Sequence, residues 1–156
     1  MHAPGSRYQE VYAQWQRDPQ AFWAEAAREI DWIEPAKQVF DPHAGVYGHW
    51  FAGALCNTCW NAVDRHVLAG RGQQAAIIYD SPLTGTKRAI TYDRLLTEVQ
   101  VLAAILRDFG VQKGDRVVIY MPMVLEAAIA SWAEGKSWVG PGVKSRALRI
   151  MVPSCA

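Results

Sequence analysis

The stretch Arg88–Glu126, RAITYDRLLTEVQVLAAILRDFGVQKGDRVVIYMPMVLE, limits the possible folds of this chain more than any other. Its apolar residues change period along its length. Leu95, Leu96, Val99, Leu102, Ala103 and Leu106 recur at spacings of three and four, so on a helix they share one face. Thr91 is placed to cap that helix, Asp93 suits its positive end, and Gly110 supplies the left-handed residue that closes it. A strand from Arg88 to Tyr92 precedes the helix. Lys113-Gly114-Asp115 is turn chemistry, and Arg116-Val-Val-Ile-Tyr120 is a short run rich in β-branched residues. Such a run predicts a strand covered on both faces. Strand, amphipathic helix, turn and strand together predict an α/β protein.

The same residues carry a resemblance. The order I-T-Y-D-R-L, A-x-x-L, G-V-x-K-G-D-R-V and Y-M-P-M resembles the opening of the large domain of AMP-forming acyl-CoA synthetases, members of the adenylate-forming superfamily. Strand-helix-strand alone would fit many α/β proteins; the string KGDRVVIYMPM is far more specific. The resembling sequences place glutamate three residues after the capping threonine, whereas this chain has Arg94. A cation at the positive helix end costs on the order of 0.3–1 kcal/mol, which a fold survives.

The earlier chain fits the same family. Tyr8, Val11, Tyr12 and Trp15 fall on one face of a short first helix. Asp18-Pro19 starts a second, with Asp as N-cap and Pro at the first helical position. It runs to about Ile30 and is expected to bury Phe22, Ala26 and Ile30, with Trp23 alongside; Pro35 ends the region. Two short helices with so many aromatics need a larger body to pack against, and packing explains those rings better than a ligand platform. D-P-x-x-F-W followed by D-W-I-x-P resembles the N-terminal segment of acetyl- and propionyl-CoA synthetases, which wraps the large domain and contributes no chemistry. Residues 36–54 read as loop, with Gly45, Gly48 and Gly53 among Tyr47, Trp50 and Phe51. Asn57–Leu68 reads as a helix with Cys59 or Trp60, Val63 and Val67 inward. N-T-C-W-N-A-V-D-R-H-V and A-A-I-I-Y-D-S-P-x-T-G-T-K-R are similar to the propionyl-CoA synthetase branch, except that Trp60 stands where that branch has tyrosine. The similar stretches cover about Tyr8 to Ala130.

Three groups look like sites. Cys56-x-x-Cys59 is a redox or half-zinc pattern, with His49 and His66 nearby in sequence. No second pair completes a zinc set, so two buried small side chains are the better reading. Asp64-Arg65-His66 offers acid, cation and imidazole, but successive helix residues point about 100° apart and do not converge unaided. They are expected to form a structural cluster. Ser81-Pro82-Leu83-Thr84-Gly85-Thr86-Lys87 faintly suggests a phosphate loop. It lies between the strand Ala75–Tyr79 and the strand at Arg88, with no glycine at the Walker spacing, so it reads as a hairpin loop.

Composition sets the remaining bounds. With 156 residues, 51% hydrophobic and 20% charged, the chain has the length and balance of one globular domain. A formal charge of +1 gives no reason to expect a nucleic-acid or membrane partner. No run approaches the roughly 20 apolar residues of a membrane span, and MHAPGSRYQE lacks a signal-peptide core. Three cysteines make no disulfide framework. The expected compartment is the cytoplasm, or an organellar matrix if a presequence is missing.

After Met121-Pro-Met-Val-Leu125, where leucine replaces the family's proline, the pattern fades. The family continues into a run like M-L-A-C-A-R-x-G-A. Residues 131–156, SWAEGKSWVGPGVKSRALRIMVPSCA, show no sustained period and carry Lys136, Lys144, Arg146 and Arg149. They read as a basic, disordered tail, the product of out-of-frame translation, a retained intron or a gene-model error rather than an evolved tail. The expected organisation is therefore 7–68 as the synthetase N-terminal segment, 69–130 as the start of the AMP-binding domain, and 131–156 as tail. In fold terms this is an N-terminal helical wrapping segment followed by the first, incomplete strand-helix-strand units of the large domain.

The resemblance implies a two-step ligase. A carboxylate attacks the α-phosphate of ATP to give acyl-adenylate and pyrophosphate, and the coenzyme A thiol then displaces AMP. In the family the phosphate loop, adenylate-binding motifs, catalytic lysine and coenzyme A site all lie beyond the similar stretch. No catalytic, cofactor-binding or metal residue is therefore carried over. ATP, Mg²⁺ and coenzyme A are expected for the full-length family and none for this chain, which would be inactive alone and prone to self-association or aggregation through exposed sheet edges. The alternative is a non-catalytic module docking onto a full-length synthetase or other subunit.

Overall fold

Asp18 shows how the sequence writes the first elements. Its Oδ1 accepts from the Ala21 N–H at 2.9 Å, and Pro19 occupies the first turn of the helix that follows. The structure is a computed structural model describing residues 6–112, 115–137 and 149–151. It divides into two compact units, Met1–Cys56 and Asn57–Ala156.

In the first unit, α1 spans Tyr8–Arg17 and α2 spans Pro19–Ala26. The α1 aromatics stack as the spacing predicts, Tyr8 on Tyr12 at 5.7 Å and Tyr12 on Trp15 at 5.5 Å. The second helix stops earlier than expected. A 3₁₀ turn, Ala27–Glu29, tightens the spiral, and Ile30 is extended. That change of pitch breaks the expected Phe22–Ala26–Ile30 face: Phe22 and Ile30 are half-buried and Ala26 is exposed.

Residues 36–54 are not simply loop. Strands β1 (Trp32–Glu34), β2 (Gln38–Asp41), β3 (His49–Ala52) and β4 (Leu55–Cys56) form two antiparallel pairs, β1 with β4 and β2 with β3. Phe40 lies opposite Trp50, with ring centroids 4.6 Å apart. The glycines that suggested loop are the turn residues of this hairpin, with positive φ at Gly45 and Gly48. Of the aromatics near them, Trp50 is the cross-strand partner of Phe40.

The second unit holds the buried core. Residues 58–69 are helical, close to the expected Asn57–Leu68, with a π-helical turn at Trp60–Asp64; Gly70, at φ 78°, kinks the chain before Arg71. Strands β5 (Ala75–Ser81) and β6 (Thr86–Thr91) make an antiparallel hairpin in which Ile77 opposes Ile90 and Ser81 opposes Thr86. The Thr84–Gly85 stretch is thus a hairpin loop, as its position predicts. α3 follows as Tyr92–Asp108, capped by Thr91 Oγ1 accepting from the Arg94 N–H at 3.3 Å. Arg94 itself is offset by Glu98, 2.5 Å away one turn on.

α4 is Leu125–Ser137. The position where the resembling sequences carry proline is its first residue, and Leu125 there is buried instead. Leu125, Ile129 and Ala133 of α4 meet Leu95, Val99 and Ala103 of α3 with Cys59 and Val63 in one cluster. The pattern expected to fail at about residue 130 therefore continues as helix for seven more residues.

One expectation about the sheet changes. β7 (Val118–Tyr120) is covered on one face only: Ile119 is buried, while Val118 and Tyr120 are exposed. Its partner is β8 (Arg149–Met151), in parallel, and among the described residues β6 and β7 are not hydrogen-bonded neighbours. Lys113 and Gly114 of the expected turn, and most of the expected tail, including Lys144 and Arg146, lie outside the described residues.

Candidate functional site

Asn57 opens the second unit with both halves of its amide in use. Its Oδ1 accepts from the Trp60 N–H at 2.9 Å, capping the helix, and its Nδ2 donates to the Gly135 carbonyl at 3.3 Å. A helix start and a helix end thus meet through one side chain. Gly135 allows the approach, since a Cβ there would stand 3.1 Å from Thr58 Oγ1.

Next to this contact lies the polar centre of the core. Lys136 Nζ donates to Asp64 Oδ1, and both side chains are largely buried. The Cys59 thiol donates to Asp64 Oδ2 at 3.6 Å. Burial first, and then the Asp64 charge, push the Cys59 thiol up to about 12. A thiol held that far from ionisation is neither nucleophile nor metal ligand. Cys56, also a free thiol, is half-buried in β4 of the first unit, and burial pushes it up too. Lys136, read in sequence as one cation of a solvated tail, is instead the partner of a buried acid.

The Asp64-Arg65-His66 run does not converge. Asp64 turns to Lys136, whereas His66 turns to Arg71, whose Nη2 stands 2.5 Å from His66 Nδ1. The kink at Gly70 lies between these residues, which are five apart in sequence. Tyr92, the first residue of α3, completes the group: its ring packs against His66 at 5.1 Å, and the Arg71 guanidinium lies 5.8 Å from its centroid. Burial, then the charges of Arg71 and Arg65, hold His66 below the ordinary imidazole range.

A pH dependence follows from that shift. The unfolded imidazole takes up a proton near 6.5, while the folded one resists until lower pH. The native state thus binds fewer protons, so this contribution is fully present above 6.5 and is lost as pH falls towards the folded value. Urea unfolding at a series of pH values should show part of the acid loss disappear in His66→Gln. An unchanged pH profile in that variant would refute the assignment.

Sequence reasoning singled out Asp64, His66 and Cys59 but missed Asn57, Arg71, Tyr92 and Lys136 as their partners. Nothing local marks Lys136, which lies 72 residues from Asp64. Gly70 between His66 and Arg71 could have served as a signal, since glycine permits the left-handed kink found there. Among the described residues, no three His, Cys, Asp or Glu side chains are placed to hold a metal. Also among them, no helix is long and apolar enough to cross a membrane.

Comparison with known proteins places these elements. Residues 8–62 match the family described as acetyl-coenzyme A synthetase N-terminus, and residues 64–133 match the family described as AMP-binding enzyme. The mitochondrial acyl-CoA synthetase short-chain family member 3 of Bos taurus is 43% identical over 83% of this chain and 19% of its own length. An acetyl-coenzyme A synthetase of Xanthobacter autotrophicus is 46% identical over 82% of this chain and 20% of its own. The solved acetoacetyl-CoA synthetase from Streptomyces lividans superposes with a TM-score of 0.68 at 27% identity, over 78% of this chain and 19% of that one. The chain thus spans about a fifth of the length of the relatives it matches.

Proposed function

From residue 8 to residue 133 the chain matches the N-terminal region of the AMP-binding acyl-CoA synthetases, and on that premise we propose that it supplies scaffold to a ligase joining a short-chain carboxylate to coenzyme A. The family consumes ATP and coenzyme A; the 57–67 string favours propionate as the acid. The observation that carries the reading is the continuous match through both units, including the hairpin, α3 and the start of α4.

Neither Thr84–Gly85 nor Asp64 suits the reaction's phosphate or metal chemistry. Thr84–Gly85 sits in a hairpin, not at a helix start where backbone N–H groups would converge on phosphate. The Asp64 carboxylate is spent on Lys136 and Cys59. No step is therefore assigned to any side chain of this chain. Its part in such a ligase is to present α3 and α4 as a packed platform, and the stretch by itself is inactive. Cytoplasm or an organellar matrix suits the reading, since the Bos taurus relative is named as mitochondrial.

Two measurements test this. ATP–pyrophosphate exchange with propionate and Mg²⁺ should stay at blank for the chain alone; robust exchange would place catalytic groups inside it. Grafting residues 8–133 in place of the matching segment of the Bos taurus relative should preserve exchange. A folded but inactive graft would sink the scaffold reading.

A further inference from the structure

We propose that His66, Arg71 and Tyr92 form a surface site for a phosphoryl anion, independent of the ligase reading above. A guanidinium is never deprotonated in a protein, so at 2.5 Å from Arg71 Nη2 the His66 Nδ1 must be the acceptor. The imidazole is then neutral and carries its proton on Nε2. Arg71 is exposed, yet it is held by two contacts, the imidazole nitrogen and the Tyr92 ring. Among the described residues no carboxylate pairs with it. The nearest acid on α3, Asp93, has its Oδ2 engaged by Gln73 Nε2 at 2.7 Å.

The result is a positioned cation, paired with no carboxylate among the described residues, beside an imidazole N–H and an aromatic ring. An ordering cost that usually weakens surface charge interactions has already been met by the protein. A planar fork of N–H donors matches a phosphoryl group, whose oxygens accept two parallel bonds. The backbone turns at Gly70, whose φ of 78° places Arg71 after the bend. A free phosphate and a nucleotide would share this chemistry, and their relative affinities distinguish them.

The test is an NMR titration of the full chain with inorganic phosphate and, separately, with AMP, at ionic strength held constant with chloride. Saturable shifts of the His66 ring and the Arg71 Nε–H are expected, with a midpoint on the order of 1–10 mM. Arg71→Leu should weaken binding by about tenfold or more, and Arg71→Lys should keep part of it. The unperturbed backbone spectrum of each variant establishes that it folds. AMP binding tighter than phosphate identifies a nucleotide ligand; equal affinities identify free phosphate. Absence of saturation with either probe, or the same response in Arg71→Leu, would overturn the site.

Discussion

Lys136→Met is expected to destabilise the second unit by about 3–5 kcal/mol, the cost of leaving one charge of a buried pair without its partner. That is a large fraction of the roughly 5–15 kcal/mol that holds a domain together. Asp64 is 9% exposed and has its two oxygens taken by Lys136 and the Cys59 thiol. Methionine replaces the lysine stem but not the ammonium, so Asp64 Oδ1 is left facing the core. The double variant Asp64→Leu/Lys136→Met should recover most of the loss, because removing both charges removes the desolvation problem. Lys136→Arg should fall between. Urea unfolding followed by far-ultraviolet circular dichroism gives all four values. A single-variant loss below about 1 kcal/mol, typical of solvent-exposed pairs, would show that the pair is not buried in solution.

The second large effect is expected in the first unit, at Gly48. This residue takes φ +70°, and a Cβ there would stand 2.5 Å from Phe40 Cε2 and 2.9 Å from the Asp41 carbonyl oxygen. Gly48→Ala therefore meets two independent costs. Holding alanine in the left-handed region costs about 1–3 kcal/mol. Displacing the Phe40 ring from Trp50 adds an overpacking cost of about 1–3 kcal/mol. The hairpin of β2 and β3 should lose its order while α3 and α4 keep theirs. Amide hydrogen exchange resolves the two: Gly48→Ala should abolish protection at Phe40 and Trp50 and leave Val99 protected. As a control, Gly45→Ala carries the backbone cost alone, since nothing lies within 4 Å of its Cβ position. Equal losses at the two glycines would refute the Phe40 contact.

Legibility followed the range of the interactions. Thr91 capping α3, Asp18 capping α2, the Leu95–Val99–Ala103 face and the hairpin at Thr84–Gly85 were all readable, because each rests on residues a few positions apart. The β2–β3 hairpin was missed for a different reason. Its loop glycines were visible, but the strands are four residues each and owe their pairing to Phe40 and Trp50 across the turn. The extension of α4 was missed because Ser131–Lys136 has no helical signature of its own. Ala133 packs on the core and Lys136 on Asp64, and those contacts stabilise a helix that local propensity does not.

By itself, then, the sequence determined the α/β class, the amphipathic helix at Tyr92–Asp108, the caps and the family whose N-terminal region the chain matches. Each follows from period, capping chemistry or a contiguous motif, all of them one-dimensional. Only the tertiary structure decided that Asp64 faces Lys136 rather than its neighbours His66 and Arg65. Likewise, only the tertiary structure placed Arg71 between an imidazole and a ring. Those choices depend on which elements pack together, and on the kink that Gly70 makes before Arg71. A buried acid must find a cation wherever the fold brings one, and here the fold brings it from 72 residues away.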